Sequence, residues 1–356
     1  MSKINSKINM GNFFEDFSIG QKIVHPLPRT ISEGDVSLYI AFTGSRFALH
    51  SSDIVAHEMG YARKPIDDTL MFHLTFGKSV QDISLNAIAN LGYAEMAFPN
   101  PVFVGDTVLM TSTVIGLKEN SSGKSGVVYV HSIGVNQDNK EVLNFKRWVM
   151  VHKKDKENKS GVNEVPTFSK TTAINDEINL PKIKCVNTDY SGGKFFFEDY
   201  EAGERLNHPE GITVDNSDHT LATKLYQNNA KVHFNDHMMK STPMGQRLMY
   251  GGIVISMARA LSFNGLQNAQ NIYAINSGAH ANPTYAGDTI YAYTEVLETI
   301  DHKRDDLGLL RLRTVAVKNQ NSSEIKNPKG EDGKYLKNVV LDLDYTVVIP
   351  KKKTAK

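Results

Sequence analysis

Two histidines, His50 and His233, are the residues best placed to do chemistry. Each sits in an irregular stretch 18 residues ahead of a helix start, at positions 68 and 251. A neutral imidazole can take a proton from water or deliver one to carbon. The two helix starts differ in kind. One reads Tyr250-Gly251-Gly252, the other Asp67-Asp68-Thr69. The first N–H groups of a helix find no acceptor inside it, and with the macrodipole they favour negative charge. Glycine lets a ligand carbonyl approach the backbone closely. That combination suits the enolate oxygen of a thioester activated at its α-carbon. Each feature also has a plainer reading. A core histidine bonded to a backbone carbonyl would recur as well, paired glycines serve close packing, and Asp67-Asp68 are favourable charges at any helix start.

The features come in pairs because the chain repeats itself. The stretch 13-FFEDFSIGQKIVHP-26 matches 196-FFEDYEAGERLNHP-209 at an offset of 183 residues, which also carries Asp35 to Asp218, His50 to His233 and Ser79 to Ser262. One residue is then lost, and 101-PVFVGDTV-108 meets 283-PTYAGDTI-290. Strand-like stretches Val127–Val135 and Val142–Val151 match Leu309–Val317 and Val340–Ile349. The unit is a whole domain used twice: residues 11–152 and 195–350, with a polar linker at 153–194. The first ten residues and the KKKTAK tail are expected to fray.

Each copy predicts the same elements. A short strand is followed by a helix behind a capping residue, Ser32 before Glu33–Thr43 and Asp215 before Asn216–Tyr226. A second helix, Leu70–Val80 or Gly252–Phe263, is apolar nearly all round and must be enclosed. Runs of period two supply the enclosure: Val108–Leu117, Val127–Val135 and Leu143–Val151, then Ile290–Leu297, Leu309–Val317 and Val339–Ile349. A helix wrapped by a curved antiparallel sheet is the hot-dog arrangement. The expectation is therefore α+β, a tandem or double hot dog with the two sheets side by side. His25 and His208, beside prolines at strand ends, are expected to be structural.

Composition bounds the function. With 40 basic and 39 acidic residues the net charge is +1, which disfavours nucleic acid and anionic membranes as partners. The hydrophobic fraction of 40% is ordinary for a globular protein. The single Cys185 forbids an internal disulfide and a cysteine-based zinc site, so no metal is expected and a reducing cytoplasm fits. No apolar run is long enough to span a membrane, and the polar start is no secretory signal.

The fold, the Gly-Asp-Thr turns and the histidine-to-glycine spacing resemble the MaoC-like, or (R)-specific, enoyl-CoA hydratases. That family carries Gly-Asp-x-Asn-Pro-x-His with a catalytic aspartate and histidine. Here the segments are 44-GSRFALH-50 and 227-QNNAKVH-233. Both histidines match, but Ser45 and Asn228 replace the aspartate, and Phe47 and Ala230 replace the asparagine. Within that superfamily, GSRFALHSSD, LYQNNAKVHFN, YGGIVISMARALSFNG and VVLDLDY are similar to the mesaconyl-CoA hydratases. The resemblance implies reversible hydration of mesaconyl-CoA to β-methylmalyl-CoA, with CoA as part of the substrate and no cofactor. It implies His233 as acid–base group, Asn228 orienting water, and Gly251 as oxyanion donor beside Tyr250 and Gly252. His50 is either a second catalytic group or the relic of a site that now holds the CoA tail. One of Asp67 and Asp68 is a candidate replacement for the missing aspartate, with Asp68 placed at the substrate. The free carboxylate of such a substrate needs a cation, for which Arg46 and Arg259 are candidates. Rival expectations are a non-catalytic acyl-CoA-binding protein and a hot-dog thioesterase. Fused hot dogs often pair again, so a homodimer is expected.

Overall fold

The structure is a computed structural model and describes residues 7–157 and 159–356. Residues 1–6 of the stretch expected to fray lie outside it. Twelve strands run in chain order as β1 (Lys22–Thr30), β2 (Ala87–Ala97), β3 (Thr107–Glu119), β4 (Ser125–Val135), β5 (Glu141–His152), β6 (Asn163–Glu164), β7 (Arg205–Asn207), β8 (Ile212–Thr213), β9 (Asn271–His280), β10 (Thr289–Ile300), β11 (Leu307–Lys318) and β12 (Val339–Pro350). They form one antiparallel sheet in the order β1-β3-β4-β5-β2-β9-β12-β11-β10-β7, with β6 on β3 and β8 on β10. The two halves of that order are the two copies.

The copies join through β2 and β9, where Tyr93 lies opposite Gly278 and Ala97 opposite Ala274. Neither strand is among those that alternation predicts. β2 pairs with β5 through three register shifts and shows no clean in-out alternation. Irregular pairing erases the period-two signal.

Each half wraps its enclosed helix. Every residue from Thr69 to Lys78 of the helix Asp68–Lys78 is buried, as is every residue from Gly252 to Leu261 of the helix Gly251–Leu261. The first begins two residues earlier than expected because Asp67 accepts the Thr69 N–H at 2.8 Å. Both stop at a serine that turns back on its own helix. Ser79 Oγ donates to Phe76 O and Ser262 Oγ to Arg259 O, each at 2.7 Å. The two central helices touch, with His73 Nε2 3.0 Å from Ser256 Oγ. The first central helix also passes close against the end of the helix Asn216–Leu225. A Cβ on Gly77 would stand 1.7 Å from Tyr226 O, an impossible contact.

The helix Glu33–Thr43 is capped as expected. Ser32 Oγ accepts the Asp35 N–H while the Asp35 carboxylate accepts the Ser32 N–H at 2.8 Å, a reciprocal pair worth about 1 kcal/mol. His25 and His208 play matching roles. Each bridges the neighbouring strand of the sheet, at Ser112 of β3 and Thr294 of β10, to the segment just after a central helix, at Asp82 and the Asn264 carbonyl, all at 2.8 Å.

The linker and the tail are held in place. Arg304 donates to the carbonyls of Ile178, Leu180 and Pro181, and Asp306 accepts the Ile183 N–H at 2.7 Å. Ile178, Ile183 and Val186 pack with Leu49, Leu307 and Val348. The tail does not fray as expected, because the Val186 N–H donates to Thr354 O at 2.8 Å and the Lys356 N–H to Val186 O at 3.0 Å.

Candidate active site

A cavity of about 330 Å³ opens where the two copies meet. The second copy supplies His233, Asn228, Tyr250, Gly251 and His280; the first supplies Phe76, Ser84, Asn90, Tyr93 and Arg147. Among the described residues no Asp or Glu lines it. Four of the nine residues singled out in the sequence therefore share one wall: His233, Asn228, Tyr250 and Gly251.

His233 lies on a short helical turn, Lys231–Phe234, behind Ala230. Its Nδ1–H donates to Leu248 O at 2.8 Å. The carbonyl fixes the tautomer, so Nε2 keeps its lone pair. Burial lowers its pKa to about 4, a shift the Leu248 carbonyl partly opposes, and the ring is neutral at pH 7. Asn228 is buried, with Oδ1 accepting the Ala230 N–H at 3.3 Å. Its Nδ2 makes no hydrogen bond to a described residue.

Tyr250 caps the second central helix. Its N–H donates to His219 Nε2 at 3.4 Å and its phenol lies 3.3 Å from His73 Nδ1. Burial raises that phenol well above its usual pKa and keeps it neutral. The Gly251 N–H is the first in the helix and pairs with no acceptor among the described residues. The imidazole of His280 covers Gly251. A Cβ there would stand 2.4 Å from His280 Cε1, so only glycine fits. His280 bonds no described residue through either nitrogen, and its pKa is lowered to about 4 by burial and then by His233. Among the described residues no group of three His, Cys, Asp or Glu side chains could hold a metal ion.

The other five candidates lie elsewhere. Gly252 is not on the cavity wall; a Cβ there would strike Tyr250 and His73 at 2.4 and 2.5 Å. Arg46 is half-exposed and pairs with Glu210 at 3.1 Å, a surface contact of small value. His50, Asp68 and Arg259 belong to the counterpart position in the first copy. There His50 Nδ1 lies 3.2 Å from Pro65 O, as His233 lies by Leu248 O, but Nε2 faces Gln270 O at 2.9 Å. Both nitrogens meet carbonyls and neither turns to open space. Asp68 accepts the Ile272 N–H at 2.7 Å, and burial raises its pKa to about 6. Arg259 lies 3.7 Å over the Phe47 ring, donates to Ser262 Oγ and Ala269 O, and has Asp67 and Asp68 near it. A smaller hollow of about 290 Å³ adjoins Asp68, under linker residues Asn175 and Ile178, and His50 is not on its wall.

The asymmetry has a steric origin. Ala230 lines the open cavity, whereas Phe47 at the matching position is 1% exposed and fills its surroundings. Gly251 and His280 in the open site correspond to Asp68 and Phe98 in the closed one.

A family model described as mesaconyl-CoA hydratase matches residues 3–327. The chain belongs to the mesaconyl-CoA hydratase family. The β-methylmalyl-CoA dehydratase of Chloroflexus aurantiacus is 50% identical over 352 residues, 98% of this chain and 100% of that protein. The mesaconyl-CoA hydratase of Cereibacter sphaeroides is 49% identical over 347 residues, covering 97% and 100%. A solved MaoC domain dehydratase from Chloroflexus aurantiacus superposes with a TM-score of 0.94 at 50% identity, covering 98% and 99%. A double-hot-dog protein of Mycobacterium tuberculosis, 23% identical with a TM-score of 0.77 over 95% of this chain and 98% of that one, shares the fold. As a member of this family the chain keeps the duplicated fold, with the open cavity on the second copy's histidine. Arg147 and His280 escaped the sequence reading, which sought residues that recur. Both lie where the copies differ: His280 matches Phe98, and Arg147 matches Tyr345.

Proposed function

We propose that this protein catalyses the reversible hydration of mesaconyl-CoA to β-methylmalyl-CoA in the cavity beside His233. The carrying observation is the His233–Leu248 hydrogen bond on the cavity wall: in a ring that burial keeps neutral, it puts the proton on Nδ1 and the lone pair on Nε2. In this reading Nε2 takes a proton from water as the water oxygen bonds to the β-carbon. The π electrons move to the thioester oxygen, where the Gly251 N–H stabilises the enolate. The imidazolium then returns the proton to the α-carbon, and hydroxyl and hydrogen have been added in balance. Asn228 orients the water. The half that closed around Phe47 takes no part. The chemistry calls for no cofactor beyond the CoA of the substrate, and a reducing cytoplasm and a homodimer accompany the reading.

The direct test follows loss of the enoyl-thioester absorbance when purified protein meets a panel of enoyl-CoA thioesters. Mesaconyl-CoA is expected to lose absorbance to an equilibrium with β-methylmalyl-CoA. Release of free CoA thiol would instead mark a thioesterase, and binding without turnover would contradict the hydratase reading.

A further inference from the structure

We propose that Arg147 anchors the free carboxylate of the substrate and so selects a dicarboxyl-CoA thioester over an uncharged acyl-CoA. The reaction in this proposal rests on the hydratase reading; the binding does not. Arg147 is wholly buried on β5 and lines the cavity. Its guanidinium meets only neutral acceptors: Ser84 Oγ and Ser79 Oγ at 2.9 Å, and Asn90 Oδ1 at 3.5 Å. The Phe76 ring lies 4.3 Å away, and the neutral phenols of Tyr93 and Tyr250 are near the guanidinium. No described carboxylate pairs with it.

Five N–H donors therefore meet three acceptors, and Nε is buried without any partner. A buried, unpaired charge is costly, and burial lowers the Arg147 pKa to about 10 without discharging it at neutral pH. A carboxylate entering the cavity would supply the missing charge and take the spare donors in a two-pronged grip. Arg147 is also the one formally charged side chain among those that line the cavity, the two histidines there being neutral. The wall thus suits one negative charge amid apolar carbon.

Arg259, the candidate from sequence, shows what a compensated arginine looks like. It occupies on the second central helix the position that Phe76 holds on the first, and it has Asp67 and Asp68 near it. Arg147 has no such relief among the described residues.

The test compares mesaconyl-CoA with uncharged crotonyl-CoA, by calorimetric affinity and by kcat/KM, in wild type and Arg147→Met. The wild type is expected to prefer mesaconyl-CoA, and the variant to lose about ten- to hundred-fold of that preference. Ser84→Ala, which keeps the charge but loosens its seat, should lose several-fold and covers the case in which the methionine variant does not fold. A preference absent from the wild type, or unchanged in a folded variant, overturns the proposal. A charge preference in binding that depends on Arg147, without turnover of either ester, would sink the hydratase reading and leave the anchor standing.

Discussion

A histidine serves as a base only while it is neutral and has a free lone pair; burial keeps His233 neutral, and the Leu248 carbonyl, by taking the Nδ1–H, leaves the lone pair on Nε2. Its lowered pKa of about 4 fixes the pH dependence. The competent form is the unprotonated one, so kcat/KM should stay flat from about pH 6 to 8 and fall tenfold per unit below about pH 4.5. A pH–rate profile of the free enzyme reads this directly, and an acid limb centred near 6.5 would mean that the base is not this buried ring. The carbonyl that sets the tautomer belongs to Leu248, which leaves no trace in a sequence motif. The histidine was legible because it recurs, and the asparagine because it sits five residues ahead in a family pattern. Arg147 and His280 were not legible, because their value depends on what faces them across strands that pair irregularly.

The element that matters most is the start of the helix Gly251–Leu261. Its first N–H has no acceptor among the described residues, and the residue carrying it lines the cavity under an imidazole. Gly251→Ala would push a methyl into His280, so both stability and hydration should fall. Pairing it with His280→Ala removes the obstruction and should restore the melting temperature more than the activity. A double-mutant cycle of melting temperatures checks this, and strict additivity would contradict the contact. The helices and most strands could be read from sequence because capping pairs and period-two runs are local signals. The strands β2 and β9 could not, being bulged and bent where the copies join. Nor could the buried outer end of β12, where Thr346 is 4% exposed against an expected polar face. Linker residues cover it, and alternation describes a strand only while one face meets water.

At the scale of the molecule, a duplicated fold has kept one site open and closed the other. The interior holds five histidines whose pKa values burial lowers to about 3 or 4: His73, His208, His219, His233 and His280. Unfolded, each takes a proton near pH 6.5; folded, none does until about pH 4. The unfolded chain thus binds more protons in that window, and stability should fall as pH drops from 6.5 towards 4. Asp68, raised to about 6, acts the opposite way, but it is one group against five. Melting temperatures across that range test the sign. The same asymmetry between copies sets the sharpest comparison, because His50 and His233 hold equivalent places and the same Nδ1 contact. Of the two, His233 alone lines the cavity and has no described partner at Nε2. Initial rates of mesaconyl-CoA hydration by folded His233→Ala and His50→Ala should therefore part, the first falling at least about a hundredfold and the second staying near wild type despite a lower melting temperature. Equal losses, or a greater loss for His50→Ala, would contradict the assignment of the reaction to the second copy.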